Sequence, residues 1–318
     1  RGYRLCGLVV LAAGLAGCVT QETLPQPLSV AHKAEAEVAE PLLLDVGVGV
    51  FDPNVPASEK EQNSEGIDPD VRAAEARYMP VLLSKTLQDT GYWGQVRVVP
   101  RGLTDFDLYV DGKILVSNGQ QLKLAIVATD ASGHAWFSKT YEGEPDTRAY
   151  KSGANTTRDP FQNLYVLIAD DLAAARAKLK PEDFNRIRNV AQLRFESELA
   201  PFAYQGYLQK QRNGSYRVVR LPAADSPLDE RLVQVRERDF ALLDTLDDQY
   251  QLSAERITES YVNWRRSNYA ELEEQSDLKR SAALRMLLGA AAVVGGIAAA
   301  TNSGSSAATQ IAGSIGVY

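Results

Sequence analysis

The sequence predicts an α+β protein: an amino-terminal α/β domain with an antiparallel β-meander, followed by a mainly α-helical region. Three patterns predict it. Leu42, Leu44, Val46, Val48 and Val50 recur at every second residue, the period of a strand with one buried face. Between Asp105 and Tyr141 three further alternating runs are separated by Asn118-Gly119 and Asp130-Ala131-Ser132-Gly133, both of them turn chemistry. From Ser226-Pro227 to about Arg285 the apolar residues are instead spaced as on a helix, with charges filling the remainder.

Taken in order, folded structure is expected from Pro41. Gly47 and Gly49 sit inside the first strand, where glycine marks close packing or a bulge. Residues 52–68 read as a long polar loop. A helix should begin near Pro69 with Asp68 as its cap. Its stripe would be Val71, Ala74, Tyr78 and Leu82, its end Gly91, and Pro80 should kink or split it. Strands follow at Gln95–Val99, Asp105–Val116, Leu122–Ala128 and His134–Tyr141. A closing helix from Asp159-Pro160 carries Phe161, Tyr165, Ile168 and Leu172 on one side. Residues 41–179 make up this domain.

The second part, 180–285, opens with a helix over Pro181–Leu199. A small hairpin is expected at 202–221, turned at Arg212-Asn213-Gly214-Ser215. The long helical stretch has an apolar face at Leu232, Val235, Phe240, Leu243 and Leu246, and Leu252-Ser253 is the place for a break. Tyr261 and Trp264, beside Arg265 and Arg266, form an amphipathic surface that reads as a packing stripe.

The chain opens with two cations, Arg1 and Arg4, then an apolar run from Leu5 to Ala13, then Leu15-Ala16-Gly17-Cys18. This resembles the leader and lipobox of bacterial lipoproteins. The resemblance implies a signal peptide over 1–17, lipid attachment at Cys18 and a flexible lipidated tether over 18–40, in which His32 is read as inert. Acyl chains contribute roughly 0.8 kcal/mol per buried methylene, so several make a stable anchor. Val19 replaces the Asp that commonly retains such proteins in the inner membrane. The implied location is therefore the outer membrane, facing the periplasm.

Composition narrows the function. The 318 residues suggest roughly two domains. Net charge is −7, and loss of Arg1 and Arg4 with the leader would take it to −9. Such a balance lacks the basic footprint of a nucleic-acid binder. The two cysteines are Cys6, in the leader, and Cys18, so the mature chain is expected to hold no disulfide and no cysteine metal site. His134 follows a tight turn with no second ligand nearby in sequence and reads as a surface or hairpin-packing residue. No serine has a nucleophile-elbow context. The pairs Asp170-Asp171, Asp247-Asp248 and Glu273-Glu274 read as solvated helix faces, and the Asn155-Thr156-Thr157 sequon is discounted. No cofactor, metal or catalytic constellation is expected.

From Met286 to Tyr318 there is no charged residue. Gly289, Ala292, Gly295, Gly296, Ala299 and Ala300 include runs of small residues spaced by four, which let helix backbones approach closely. Two readings stay open: a glycine-zipper hairpin that enters a membrane or lines an oligomer, and a hairpin buried in a soluble assembly. Met286–Ala300 would span about 22 Å as a helix, short of the ~30 Å hydrocarbon core. The missing initiator Met and the stop within an apolar pattern suggest a truncated fragment.

The order strand, helix, four strands, helix, with the hairpin sequence ATDASGHAWFSKTYEGE and the lipobox, is similar to small α/β domains of envelope lipoproteins. These are the TolB amino-terminal, CsgG-like curli-secretion and transport-auxiliary families. Fold alone does not fix a function; the lipobox, the lack of a catalytic constellation and the Gly/Ala-rich segment point to a non-enzymatic assembly or docking component with protein partners or self-association. The alternative is a ligand- or lipid-binding accessory of a transport system.

Overall fold

The computed structural model describes residues 29–103, 106–151, 158–223 and 226–302, with the backbone alone from 284. The leader, Cys18, Val19, the Asn155 sequon and the segment 303–318, where the second arm of a hairpin is expected, lie outside the described residues. The fold is α+β. A five-stranded sheet in the order β2-β1-β3-β4-β5 is formed by β1 (Val46–Gly49), β2 (Val96–Val99), β3 (Leu108–Ser117), β4 (Leu122–Asp130) and β5 (Ala135–Gly143). β1 pairs in parallel with both β2 and β3, and β3-β4-β5 is the antiparallel meander.

The first strand is buried on both faces, not one. Its parallel neighbours place it inside the sheet, and the layers on either side close over it. Val46 and Val48 enter the main core with Met79 and Leu83. The opposite face is covered because Gly47 and Gly49 carry no side chain. A Cβ at Gly47 would lie 2.6 Å from the Phe106 ring, and one at Gly49 would lie 2.2 Å from the Tyr109 hydroxyl.

Helix α2 (Pro69–Gln88) begins as its sequence dictates, with the Asp68 carboxylate accepting the Asp70 and Val71 N–H groups at 2.9 and 3.1 Å. It runs unbroken through Pro80, so of the kink or split expected there the split does not occur. Pro80 supplies no N–H to the Ala76 carbonyl one turn earlier. The Phe51 N–H donates to that carbonyl instead, at 2.9 Å. Val71, Ala74 and Leu82 are only half-buried. The helix buries a wider surface because Met79 and Leu83 face the sheet while Tyr78 and Val81 face another helix. The loop at 52–68 also contains a helix, α1 (Glu59–Glu65), capped by Ser58 accepting the Glu61 N–H and ended by Gly66 at φ 65°.

Helix α3 (Gln162–Arg176) buries Phe161, Tyr165, Ile168 and Leu172 as expected. Helix α4 (Pro181–Leu199) matches its predicted bounds. The hairpin at 202–221 is the pair β6 (Leu208–Lys210) and β7 (Tyr216–Val218). Its tip docks on the β4–β5 turn, where the Tyr216 N–H donates to the Ser132 carbonyl at 2.7 Å. From Ser29 the stretch read as a tether lies along the domain. The His32 N–H donates to Asp170, Ala34 N–H to the Thr90 carbonyl, and the Arg158 guanidinium to the Ser29 carbonyl.

Helix α5 runs from Pro227 to Asn302 without the break expected at Leu252-Ser253. Both residues face solvent, so nothing in the packing interrupts the ladder. Its 76 residues extend about 114 Å. It lies along α2 and the outer edge of β2, where Asp247 accepts the Val98 N–H at 2.7 Å and Arg97 reaches Asp244 at 2.5 Å. A sheet edge that would otherwise be open is thereby covered.

The Asn118–Gln121 loop ties the meander to the same helix. Asn118 Oδ1 accepts the Gln120 and Gln121 N–H groups, both at 2.8 Å. Gly119 meets α5 backbone to backbone: a Cβ there would stand 2.3 Å from the Tyr269 nitrogen and 2.5 Å from the Arg265 oxygen. Main-chain atoms of a packed helix cannot move aside cheaply. Gly119→Ala is therefore expected to lower stability by about 1–3 kcal/mol, measured by urea denaturation, with the loss following detachment of α5.

Candidate functional site

The contact face of α5 is set by spacing. Leu232, Ala254, Tyr261, Val262 and Arg265 are buried, with Phe240, Leu243 and Tyr250 half-buried between them. These positions return to one side of the helix at its natural period. Tyr261 and Arg265, read from sequence as part of a packing stripe, are at its carboxy-terminal end. The Tyr261 ring meets Tyr78 edge-on at 4.8 Å and stacks on Trp264 at 5.8 Å.

Arg265 is fully buried, and its partner is Glu75 on α2, also at 0% side-chain exposure, with 3.7 Å between them. Glu75 Oε1 accepts the Ser117 hydroxyl at 2.5 Å and the Tyr261 hydroxyl at 2.6 Å. Its Oε2 lies 3.2 Å from Arg72 Nε, one turn earlier. The Arg265 guanidinium donates to Ser117 Oγ and Tyr261 Oη, and it lies over the Phe161 ring at 4.4 Å. One buried cluster thus joins α2, the end of β3, the start of α3 and α5.

Burial and neighbouring charge oppose each other within it. Burial alone would depress the Arg265 guanidinium, but Tyr261, Asp159 and Glu75 around it raise it, so the cation persists. Burial raises the Asp159 carboxyl, with Arg265 and the Phe161 N–H opposing the shift. Glu75, Arg72 and Asp159 carry no sequence signal of this role. They are charged residues at positions that the apolar pattern of α2 and α3 does not distinguish from solvent-facing ones.

Past Tyr269, whose ring packs on Tyr150 at 5.2 Å, the helix leaves the domain. From Ala270 to Ala283 every residue is exposed except Leu272 and Ser276, which are half-buried. The helical backbone continues to Asn302, roughly 50 Å beyond Tyr269. It carries Gly289, Ala292, Gly295, Gly296, Ala299 and Ala300, all the small-residue positions singled out from sequence. Among the described residues no helix is long and apolar enough to cross a membrane.

The remaining candidates scatter. Adjacent acids point apart: Asp170 faces His32, Asp171 takes Lys139 and Tyr141, and Asp247 caps β2 while Asp248 is exposed. His134 lines an open cleft of about 460 Å³ between the β4–β5 turn and the β6–β7 hairpin. A second cleft of about 300 Å³ shares Tyr216 and Gly133 and adds Arg194 and Lys210. Asp130 beside them is occupied, accepting from Ser132, His134 and Trp136. Among the described residues no group of three or more His, Cys, Asp or Glu side chains could hold a metal ion. The inner face of the meander is filled by its own core, with Leu122, Leu124 and Ile126 at 0% exposure.

Comparison with known proteins adds little. No family model matches the chain, and no curated protein matches it. Among solved structures, the PelC L103M dodecamer from Paraburkholderia phytofirmans is similar over 46% of this chain and 94% of its own. The identity is 14% and the TM-score 0.26, too low a likeness to bear on function.

Two measurements follow from the cluster and its surroundings. Removing one member of a buried ion pair strands the other, at a cost of about 3–5 kcal/mol. Arg265→Met and Glu75→Leu should each lose that much stability, and the double variant should lose less than their sum. Urea denaturation of the four proteins gives the coupling.

Elsewhere burial raises Asp107 to about 6 and Glu196 to about 7. Both folded values lie above the unfolded ones, so the folded chain holds protons that the unfolded chain has released. Stability should therefore fall as pH rises from about 4 to about 7. In Asp107→Asn/Glu196→Gln the denaturation midpoint should flatten across that window.

Proposed function

We propose that the chain is a lipid-anchored lipoprotein of the outer membrane, facing the periplasm, and a non-enzymatic assembly or docking component of an envelope complex. The Arg1–Cys18 leader supports the anchor. The assembly role rests on one observation above the rest. A helix fixed to the α/β domain by a buried ion pair runs on past Tyr269 with an exposed surface and ends in uncharged, small-residue sequence. A helix with such an exposed surface gains most of its stability by packing that surface against something. Small residues spaced by four offer a surface that another helix can approach closely. The expected occupant is a second copy or a helical partner in the complex.

A second reading, a ligand-binding accessory, draws support from the two open clefts around Tyr216 rather than from the sheet interior.

Cells fed labelled palmitate should label the wild-type chain and not Cys18→Ser. The full-length chain should form a discrete oligomer in detergent by light scattering. Gly295→Leu/Gly296→Leu should reduce it to a monomer with unchanged thermal stability. A wild-type monomer that recruits no envelope protein would remove the assembly role, and absence of label would remove the anchor.

A further inference from the structure

From Leu199 to Ala223 the chain contains no Asp or Glu, although acids outnumber bases in the whole sequence by 41 to 34. It contains Lys210, Arg212, Arg217 and Arg220. Among the described residues none of these four stands within salt-bridge distance of a carboxylate. Their contacts are to rings and amides: Arg220 lies over Tyr207 at 4.0 Å, Lys210 over Tyr216 at 5.6 Å, and Arg217 donates to Gln209.

The same lobe displays apolar side chains that the core does not use. Phe202 is 95% exposed, and Leu199, Val219 and Leu221 are each half exposed or more. The lobe nevertheless has a firm seat. Tyr204 is buried with Leu193 and Leu232, its hydroxyl donates to Asp229 at 3.3 Å, and the hairpin tip is bonded to the β4–β5 turn. The nearby carboxylates belong to the flanks: Glu198 is exposed, Asp229 holds Tyr204, and Asp183 is paired with Arg186.

Scattered exposed apolar groups, interleaved with cations that meet no carboxylate among the described residues and with amphipathic tyrosines, have the composition of a membrane-interface contact. Phe202, Leu199, Val219 and Leu221 line neither of the two clefts around Tyr216. We propose that this lobe, Leu199–Ala223, binds a phospholipid surface that carries anionic headgroups. Phe202 and Leu221 would enter the headgroup region, and the long cationic side chains, which at Lys210 and Arg217 leave opposite faces of the β6–β7 pair, would reach round to the phosphates. The inference rests on the lipid-anchor reading, which keeps that surface within reach and makes weak contacts effective. It gives the protein a second membrane signal beside the acyl chains.

The test uses the full chain with Cys18→Ser, sedimented with vesicles of phosphatidylcholine alone or of phosphatidylcholine and phosphatidylglycerol at a seven-to-three ratio. Each interfacial base is worth about fivefold in partitioning. Lys210→Gln/Arg217→Gln/Arg220→Gln should therefore lower binding to the anionic vesicles by about 100-fold. Phe202→Ser should lower it by about tenfold, and salt should weaken the parent. All four sites are at the surface, so thermal unfolding should be unchanged in both variants. Equal binding to the two vesicle types, or equal binding by parent and variants, would overturn the proposal. So would variants that keep vesicle binding but lose an acidic protein partner. Palmitate labelling is read separately: label without lobe-dependent binding defeats this inference alone, and the reverse defeats only the anchor.

Discussion

The pair formed by Glu75 and Arg265 is the constraint on which the arrangement of this chain depends. Two fully desolvated charges contribute little net stability when paired, because the loss of hydration offsets most of their attraction. Their effect is on specificity. A helix held only by apolar side chains can slide by a turn along its neighbour at modest cost. Such a slide here would leave Arg265 without Glu75 and Ser117, and the Tyr261 hydroxyl without the same carboxylate. The ion pair fixes the register of α5 on α2, and Gly119 fixes how closely the meander approaches it. The part of α5 from Tyr269 to Asn302 inherits its direction from these contacts.

That dependence also explains the sheet. β2 is an edge strand whose outward N–H at Val98 is met by Asp247, and its Arg97 is met by Asp244 and the Phe240 ring. The opposite edge, β5, is mostly exposed and carries Lys139 and Glu142, charges of the kind that discourage pairing with another chain. One edge is protected by a helix from the far end of the sequence and the other by its own polarity. The long helix is therefore part of the α/β domain's architecture as well as a projection from it.

Much of this fold was legible from local pattern. The alternation of β3 and β4, the bounds of α4, the Asp68 cap and the Phe161–Leu172 stripe are short-range signals, and the structure follows them. What failed was non-local. The burial of both faces of β1 depends on Phe106 and Tyr109 lying over glycines sixty residues away in sequence. The continuity of α2 through Pro80 depends on Phe51 reaching the Ala76 carbonyl. The absence of a break at Leu252-Ser253 follows from those residues facing solvent on a helix secured elsewhere. The site was less legible still. The spacing of Tyr261 and Arg265 marked a face, but nothing local paired them with Glu75, 190 residues earlier for Arg265. The small-residue positions from Gly289 to Ala300 were visible because composition alone identifies them.

Hydrogen exchange followed by mass spectrometry bears most directly on the claim that α5 is locked into the domain up to Tyr269 and projects beyond it. Amides from Gln251 to Tyr269 should exchange as slowly as those of β3 and β4, and all should accelerate together in mild denaturant. Amides from Ala270 onward should exchange faster in dilute protein. If Gln251–Tyr269 exchanged independently of the sheet, opening while β3 and β4 stayed protected, the helix would be an appendage and the lock would not exist.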